Sequence, residues 1–199
     1  MKQFSKVRAK ARGKRRAPAN RRARSRRVKV TPEIRAYVRK IDAYRAGRNP
    51  IPLMRSAPAK LARAVAGLTA AQMRRRPARG KWCIVEILGH LHDTEYVYGY
   101  RWRLCLSEPR APIAGYDQAG WTVAMRHRRA SAKRLIAQIR AMREGNLDTV
   151  LRMRRSEWKR YGVHSERGNE SVRRGLELIA GHDLNHLDQI RTIRKKFRW

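Results

Sequence analysis

The sequence predicts an all-α protein built as a four-helix bundle, with a short extra helix before it and a basic tail at the N-terminus. Three observations carry this. Beyond position 30, apolar residues recur every three or four positions and scarcely ever alternate, which is the helical period and not the strand period. Four stretches long enough for substantial helices are separated by connectors containing Pro, Gly and Asn. One of them, 82–107, is apolar around most of its circumference, as a helix at the centre of a bundle must be. A chain of 199 residues suits one domain, here 31–199, and is long enough to bury a core.

Taken in order, Thr31-Pro32-Glu33 is a helix start: a hydroxyl cap, proline in the first turn, then an acid. Ile34, Val38 and Ile41 continue it over 32–46, until Gly47 and Asn49-Pro50 are expected to stop it. Ser56 is expected to cap a second helix over 57–67, with Leu61 and Val65 on one side. A connector follows over 69–81. The third segment, 82–107, carries Ile84, Val85, Ile87, Leu88, Leu91, Val97, Trp102 and Leu104. Pro109, Pro112 and Gly115 mark a loop. A helix over 120–153 has Leu135, Ile139, Met142 and Val150 on one stripe, weakened at Gly145-Asn146 by about 1 kcal/mol relative to alanine. Residues 160–170 read as turns. The last helix, 171–195, presents Leu176, Ile179, Leu187, Ile190 and Ile193. At least one connection must be a longer crossover.

Charge is the extreme feature. Fifty Lys and Arg against 15 Asp and Glu give +35. Residues 1–30 hold 14 of the basic groups and no acid, so 35 less 14 leaves a body that is itself at +21. The segment has too few large apolar residues to offset ordering its backbone and is expected to be a disordered basic tail. An organelle transit peptide, or a start codon misassigned ahead of a domain beginning near Thr31, would give the same composition. No apolar run follows the basic start as a secretory signal requires, and none approaches the ~20 residues that span a bilayer. Membrane partners are not expected. Two cysteines, Cys83 and Cys105, form neither a disulfide framework nor a C-x-x-C pair, which suits a reducing, cytoplasmic setting.

The chemistry-bearing residues are histidines, six in all. His182 and His186 are four apart in A-G-H-D-L-N-H-L-D-Q-I, so they project from consecutive turns on a face shared with Ile179 and Ile193. Two neutral imidazoles so placed can converge on one cation at about 2.0–2.1 Å; two partly buried, hydrogen-bonded histidines would leave the same trace in sequence. H-D-L-N-H differs from the H-E-x-x-H zincin pattern, because Asp183 is one methylene short of the catalytic glutamate and no His, Glu or Cys lies downstream to complete such a site. A third ligand must come from upstream. His90 and His92 stand about 200° apart on their helix, so only one can face the same interior, and periodicity leans weakly to His90. His127, among Arg126, Arg128 and Arg129, reads as surface, and His164 as a loop residue at the mouth of a site or simply exposed. Trp82, Trp121 and Trp158 read as packing residues.

G-K-W-C-I-V-E-I-L-G-H-L-H-D-T-E (80–95), with Arg101 after it, resembles the W-[ST]-x-x-E-x-x-x-H-L-x-D-x-E signature of the DinB-like, damage-inducible superfamily of metal-binding helical bundles. P-I-A-G-Y-D-Q-A-G-W (112–121), R-Y-G-V-H-S-E-R-G (160–168) and G-H-D-L-N-H-L-D-Q-I-R match the pattern in order, so the similarity covers 50–194. The resemblance implies an up-down-down-up bundle. It also implies three histidines on a divalent metal, zinc or nickel before iron or manganese, with His90 as first ligand and His182 and His186 as the other two. Cys83 departs from the family's Ser or Thr, replacing a good helix cap with a poor one at a loss of about 1 kcal/mol. As a metal ligand Cys83 is disfavoured, being two turns from His90.

Three histidines leave positions open on the ion, the arrangement of a catalytic and not a structural centre. By that resemblance the function expected is a thiol-dependent transferase or a hydrolase acting on a small molecule, with a low-molecular-weight thiol as co-substrate and a homodimer as one assembly. Asp93 and Asp183 are candidates to orient the ligand rings, or else surface acids pairing with arginines. No residue is assigned as catalytic. The competing expectation is a non-enzymatic protein that binds nucleic acid non-specifically through its basic tail, with the metal structural. Against it, no recognition helix, zinc finger or RNA-binding motif is present.

Overall fold

The computed structural model describes residues 28–199, so the tail expected over 1–30 lies outside the described residues except for its last three. Seven helices and three short strands follow. Helix α1 (Pro32–Arg45) begins as its sequence requires, with Thr31 Oγ1 accepting from the Ile34 N–H, and ends on Ala46 in the left-handed region. Helix α2 (Pro50–Val65) starts nearly two turns earlier than the sequence suggests. Asn49 caps it by accepting from the Ile51 N–H, and Pro50 occupies the first turn, where a missing N–H loses nothing. Ser56 is no cap; its hydroxyl bonds back to the Leu53 carbonyl inside the helix. The connector holds a short helix α3 (Ala70–Arg74), closed by reciprocal bonds between Thr69 and Gln72.

Helix α4 (Ile84–Ser107) is the buried one, and the Glu86 carboxylate accepts from the Cys83 N–H at its start. The helix expected over 120–153 is broken into three pieces. Helix α5 (Gln118–Ala124) is capped by Asp117, a 3-10 turn covers His127–Arg129, and α6 (Ala132–Leu151) restarts on Ser131. Arg126 sits at φ 53°, outside the helical region, and marks the break. The Gly145-Asn146 pair does not interrupt α6, because buried Asn146 donates to the Glu95 carbonyl across the interface. The turn-rich segment is a β-hairpin, β2 (Tyr161–His164) and β3 (Gly168–Ser171), and β1 (Pro112–Ile113) from the crossover pairs parallel to β2. Helix α7 (Val172–Phe197) closes the fold, capped by Ser171.

Two apolar clusters fix the helix directions. One gathers Leu61 and Val65 from the end of α2, Ile84 to Leu91 from the start of α4, Leu135 to Ile139 from the start of α6, and Leu187 to Ile193 from the end of α7. The other gathers the opposite ends: Ile51 and Met54, Trp102 and Cys105, Leu147 and Val150, Val172 to Ala180. Helices α2 and α7 therefore run one way and α4 and α6 the other, an up-down-down-up bundle. Because α4 and α6 are parallel, the chain must return the length of the bundle between them, which is the task of 108–131.

A polar knot joins the helices at mid-height. Buried Arg143 on α6 donates to Glu95 on α4 (Nε–Oε1, 2.8 Å), to Asp183 on α7 (2.8 Å) and to the Met54 carbonyl on α2 (2.9 Å). That carbonyl is free because Pro58, four residues on and inside the helix, has no N–H to give it. Removing one partner of a buried ion pair strands the others in a low dielectric. Arg143→Leu is expected to lower unfolding stability by roughly 3–5 kcal/mol in urea titrations. Combining it with Glu95→Gln and Asp183→Asn should recover much of the loss.

Candidate metal centre

The site lies between α4 and α7. His90 projects from α4, and His182 and His186 from consecutive turns of α7; all three are buried. Their Nε2 atoms point at one another. His182 Nε2 is 3.0 Å from that of His90 and 3.1 Å from that of His186, and the three lie within 4.8 Å of one another. Nitrogens bound to one ion at about 2.0–2.1 Å stand roughly 2.9–3.4 Å apart, for angles between 90° and tetrahedral. The two short edges fall inside that window. Hydrogen bonding alone fits less well: His182 Nε2 has one proton or one lone pair to share between two facing nitrogens. A cation satisfies all three lone pairs together, so the donor set fits a divalent metal.

The rings are held in the required state. His186 Nδ1 donates to Gln189 Oε1 at 2.9 Å, which leaves the lone pair on Nε2. Burial pushes the His186 pKa down to about 4, and burial, then the neighbouring histidines, holds those of His90 and His182 well below the usual value. All three are neutral near pH 7, as ligation requires. The Trp82 ring packs 5.0 Å from that of His90 and 6.4 Å from that of His186, walling one side of the cluster.

The other residues singled out by sequence distribute differently. His92 faces away, its ring edge-on to Tyr96. His127 is not at the surface: it is buried, and its Nε2 lies 2.7 Å from Asp93 Oδ2. Only glycine at position 89 admits it, since a Cβ there would sit 2.2 Å from His127 Cγ. Asp93 is thus engaged with His127, and Asp183 with Arg143, so neither is bonded to a ligand imidazole, and neither is a surface acid. Trp158 is a packing residue, donating to the Val150 carbonyl, whereas Trp121 is exposed and meets the Tyr116 ring at a tilt. Cys83 and Cys105 are free, buried thiols, and Cys83 is not in the histidine cluster.

A cavity of about 60 Å³ adjoins the cluster, with room for a few waters. His182 lines it, with Thr94, Arg101, Tyr116, His164 and Arg167. Helix α1 roofs it through Tyr37 and Ile41. The roof is held where Gly181 lets the Ile41 carbonyl touch α7 (a Cβ would meet that oxygen at 2.2 Å) and where Asp42 takes two bonds from Arg174. His164, expected at the mouth of a site or simply exposed, is fully buried against this cavity. The signal for it was weak in sequence, because it rests on the pairing of Ile113 with His164 across β1 and β2.

Comparison with known proteins accords with this geometry. A family model described as the DinB superfamily matches residues 53–190. The chain belongs to the DinB superfamily. It is 23% identical over 151 residues to YfiT of Bacillus subtilis (strain 168), covering 75% of this chain and 84% of that one. A solved structure of YfiT, described as a probable metal-dependent hydrolase with an unusual four-helix bundle topology, superposes with a TM-score of 0.71 at 20% identity, covering 88% of this chain and 94% of that one. The shared topology agrees with the helix directions found here.

The pH response of the cavity follows from His164. Its Nδ1 accepts from the Glu166 N–H at 3.1 Å, so the proton of the neutral ring is on Nε2. Burial, reinforced by Arg167 and Arg101, pushes its pKa down to about 3. The unfolded chain takes up a proton near pH 6.5 that the folded one refuses, so this contribution to stability is complete above pH 6.5 and is lost as pH falls toward 3. His164→Gln should flatten the stability profile of metal-free protein between pH 6 and about 4 by about 1.4 kcal/mol per pH unit, measured by urea denaturation.

Proposed function

We propose that this protein is a divalent-metal-dependent enzyme, a hydrolase or a thiol-dependent transferase, in which His90, His182 and His186 hold the ion. The convergence of three buried, neutral Nε2 atoms carries this reading. The YfiT relative, described as a probable metal-dependent hydrolase, supports its hydrolytic form. Imidazole donors suit zinc or nickel first, with iron and manganese as further candidates. Bound there, a divalent cation lowers the pKa of a water or thiol and polarises a substrate oxygen.

The chain's own residues do the rest. Gln189 keeps the His186 lone pair directed at the cluster, and Trp82 screens one side of it from water. On the cavity side, His164 Nε2–H and the Tyr116 hydroxyl are placed to orient a small molecule, while Thr94 Oγ1, whose proton goes to the His90 carbonyl, can only accept. Hydrolase and transferase differ only in whether water or a small thiol is activated. Two buried free cysteines suit a reducing, cytoplasmic setting, and among the described residues no helix is long and apolar enough to cross a membrane.

Metal analysis of the purified protein should find about one divalent ion per chain, lost in His182→Ala and His90→Ala and kept in His92→Ala. Wild-type protein that takes up neither zinc nor nickel removes the enzyme reading. Loaded protein is then assayed for ester and amide hydrolysis and for conjugation of a small thiol to an electrophile.

The net charge of +35 favours a second role, sequence-independent contact with nucleic acid through residues 1–30. A gel shift that weakens steeply with salt and disappears when residues 1–30 are deleted would support it. A shift unaffected by the deletion would exclude the tail.

A further inference from the structure

We infer that the cavity beside the three histidines is an oxyanion subsite, in which Arg101 is the counter-ion for a carboxylate or phosphate group of the substrate. The inference rests on the metal reading only in that the anion's other end would reach the histidine cluster.

Arg101 is the observation that carries it. It is 5% exposed, and among the described residues no carboxylate lies within ion-pair distance of it. One Nη2 bond to the Ala114 carbonyl at 2.7 Å, and the face of Tyr98 at 5.1 Å, are its polar company. The contrast with the chain's other deeply placed guanidiniums is direct. Arg143 has Glu95 and Asp183, and Arg167 has Glu170 at 2.7 Å. A buried charge without a counter-charge is strongly disfavoured, and a fold that retains one has a use for it.

The remaining lining agrees in sign. His164 is fully buried, and its Nε2–H has no partner. The Nη2 of Arg167 is likewise buried and unpartnered, although its Nε is bonded to Glu170. Two unsatisfied donors and a guanidinium without a counter-charge, all on residues that line one cavity, favour an acceptor-only group over an amine. The acid lining the cavity, Glu166, is exposed at its rim. His182 lines the same space, so an anion seated there is next to the ligand cluster. The substrate class is therefore a small molecule with an oxyanion at one end and its reacting group at the other.

The test is calorimetric titration of the full chain with inorganic phosphate and, separately, with propionate, in low-chloride buffer. It is run on metal-loaded and on EDTA-stripped protein, with metal content assayed on the same samples. One saturable site per chain is expected for one of the two anions, and which of them saturates identifies the headgroup. Affinity should fall tenfold or more in Arg101→Gln and stay unchanged in Arg140→Gln, an exposed arginine that controls for general basicity. Should Arg101→Gln fail to fold, His164→Gln and Arg167→Gln decide the matter by the same measure. Undiminished affinity in the cavity variants, or no saturable binding of either anion, overturns the subsite. Failure of the metal reading shows instead as absent metal, while the anion site persists in stripped protein.

Discussion

The guanidinium of Arg143 is the point on which the bundle's geometry turns. It is buried between two carboxylates on different helices and a carbonyl on a third, so α2, α4 and α7 are all referred to one group on α6. Buried ion pairs of this kind add little net stability over apolar packing, but they penalise every arrangement that breaks them. Their positions in the chain explain the consequence. Asp183 is next to His182, and Glu95 lies little more than a turn beyond His90. A slip of either helix against α6 would strand a charge and, in the same movement, separate the imidazoles.

The parallel course of α4 and α6 creates the second half of the site. An antiparallel pair could be joined by a short loop; this pair needs a crossover, and the crossover brings cavity-lining residues with it. It is latched to α4 where His127 lies over Gly89 and bonds Asp93, and to the hairpin where β1 pairs with β2. The first latch sits one residue from His90. The second carries His164 to the cavity wall and supplies the Ala114 carbonyl that positions Arg101. The histidine cluster belongs to the bundle alone, and the space beside it is shared by the bundle, helix α1, the crossover and the hairpin.

Much of this was legible in the residues. The helical period marked every long helix, the Thr31-Pro32 start was plain, and the four-residue spacing of His182 and His186 placed both on one interior face. What escaped has definite physical causes. Asn49-Pro50 reads equally as an end and as a beginning, because proline tolerates both, and Pro52 and Pro58 disguise the apolar stripe of Ile51, Met54, Leu61 and Val65 that runs through the missed turns. The break at 126–131 depends on His127 turning inward, a tertiary contact that its arginine neighbours disguise. Two- and four-residue strands are too short to show alternation. The partners of Asp93 and Asp183 lie on other elements, and local sequence does not name them. Spacing left His90 and His92 nearly equal; the family resemblance separated them, and the structure places His90 in the cluster.

Pro58 shows how far one position can lean on another. A proline in the interior of a buried helix ordinarily leaves an orphaned carbonyl, and here the orphan on Met54 is adopted by a side chain from α6. The two sites are thus structurally co-dependent. Losing the arginine would expose the defect in α2, whereas regaining an amide hydrogen at position 58 would compete for the same oxygen. Neither substitution can be judged neutral without knowing the other.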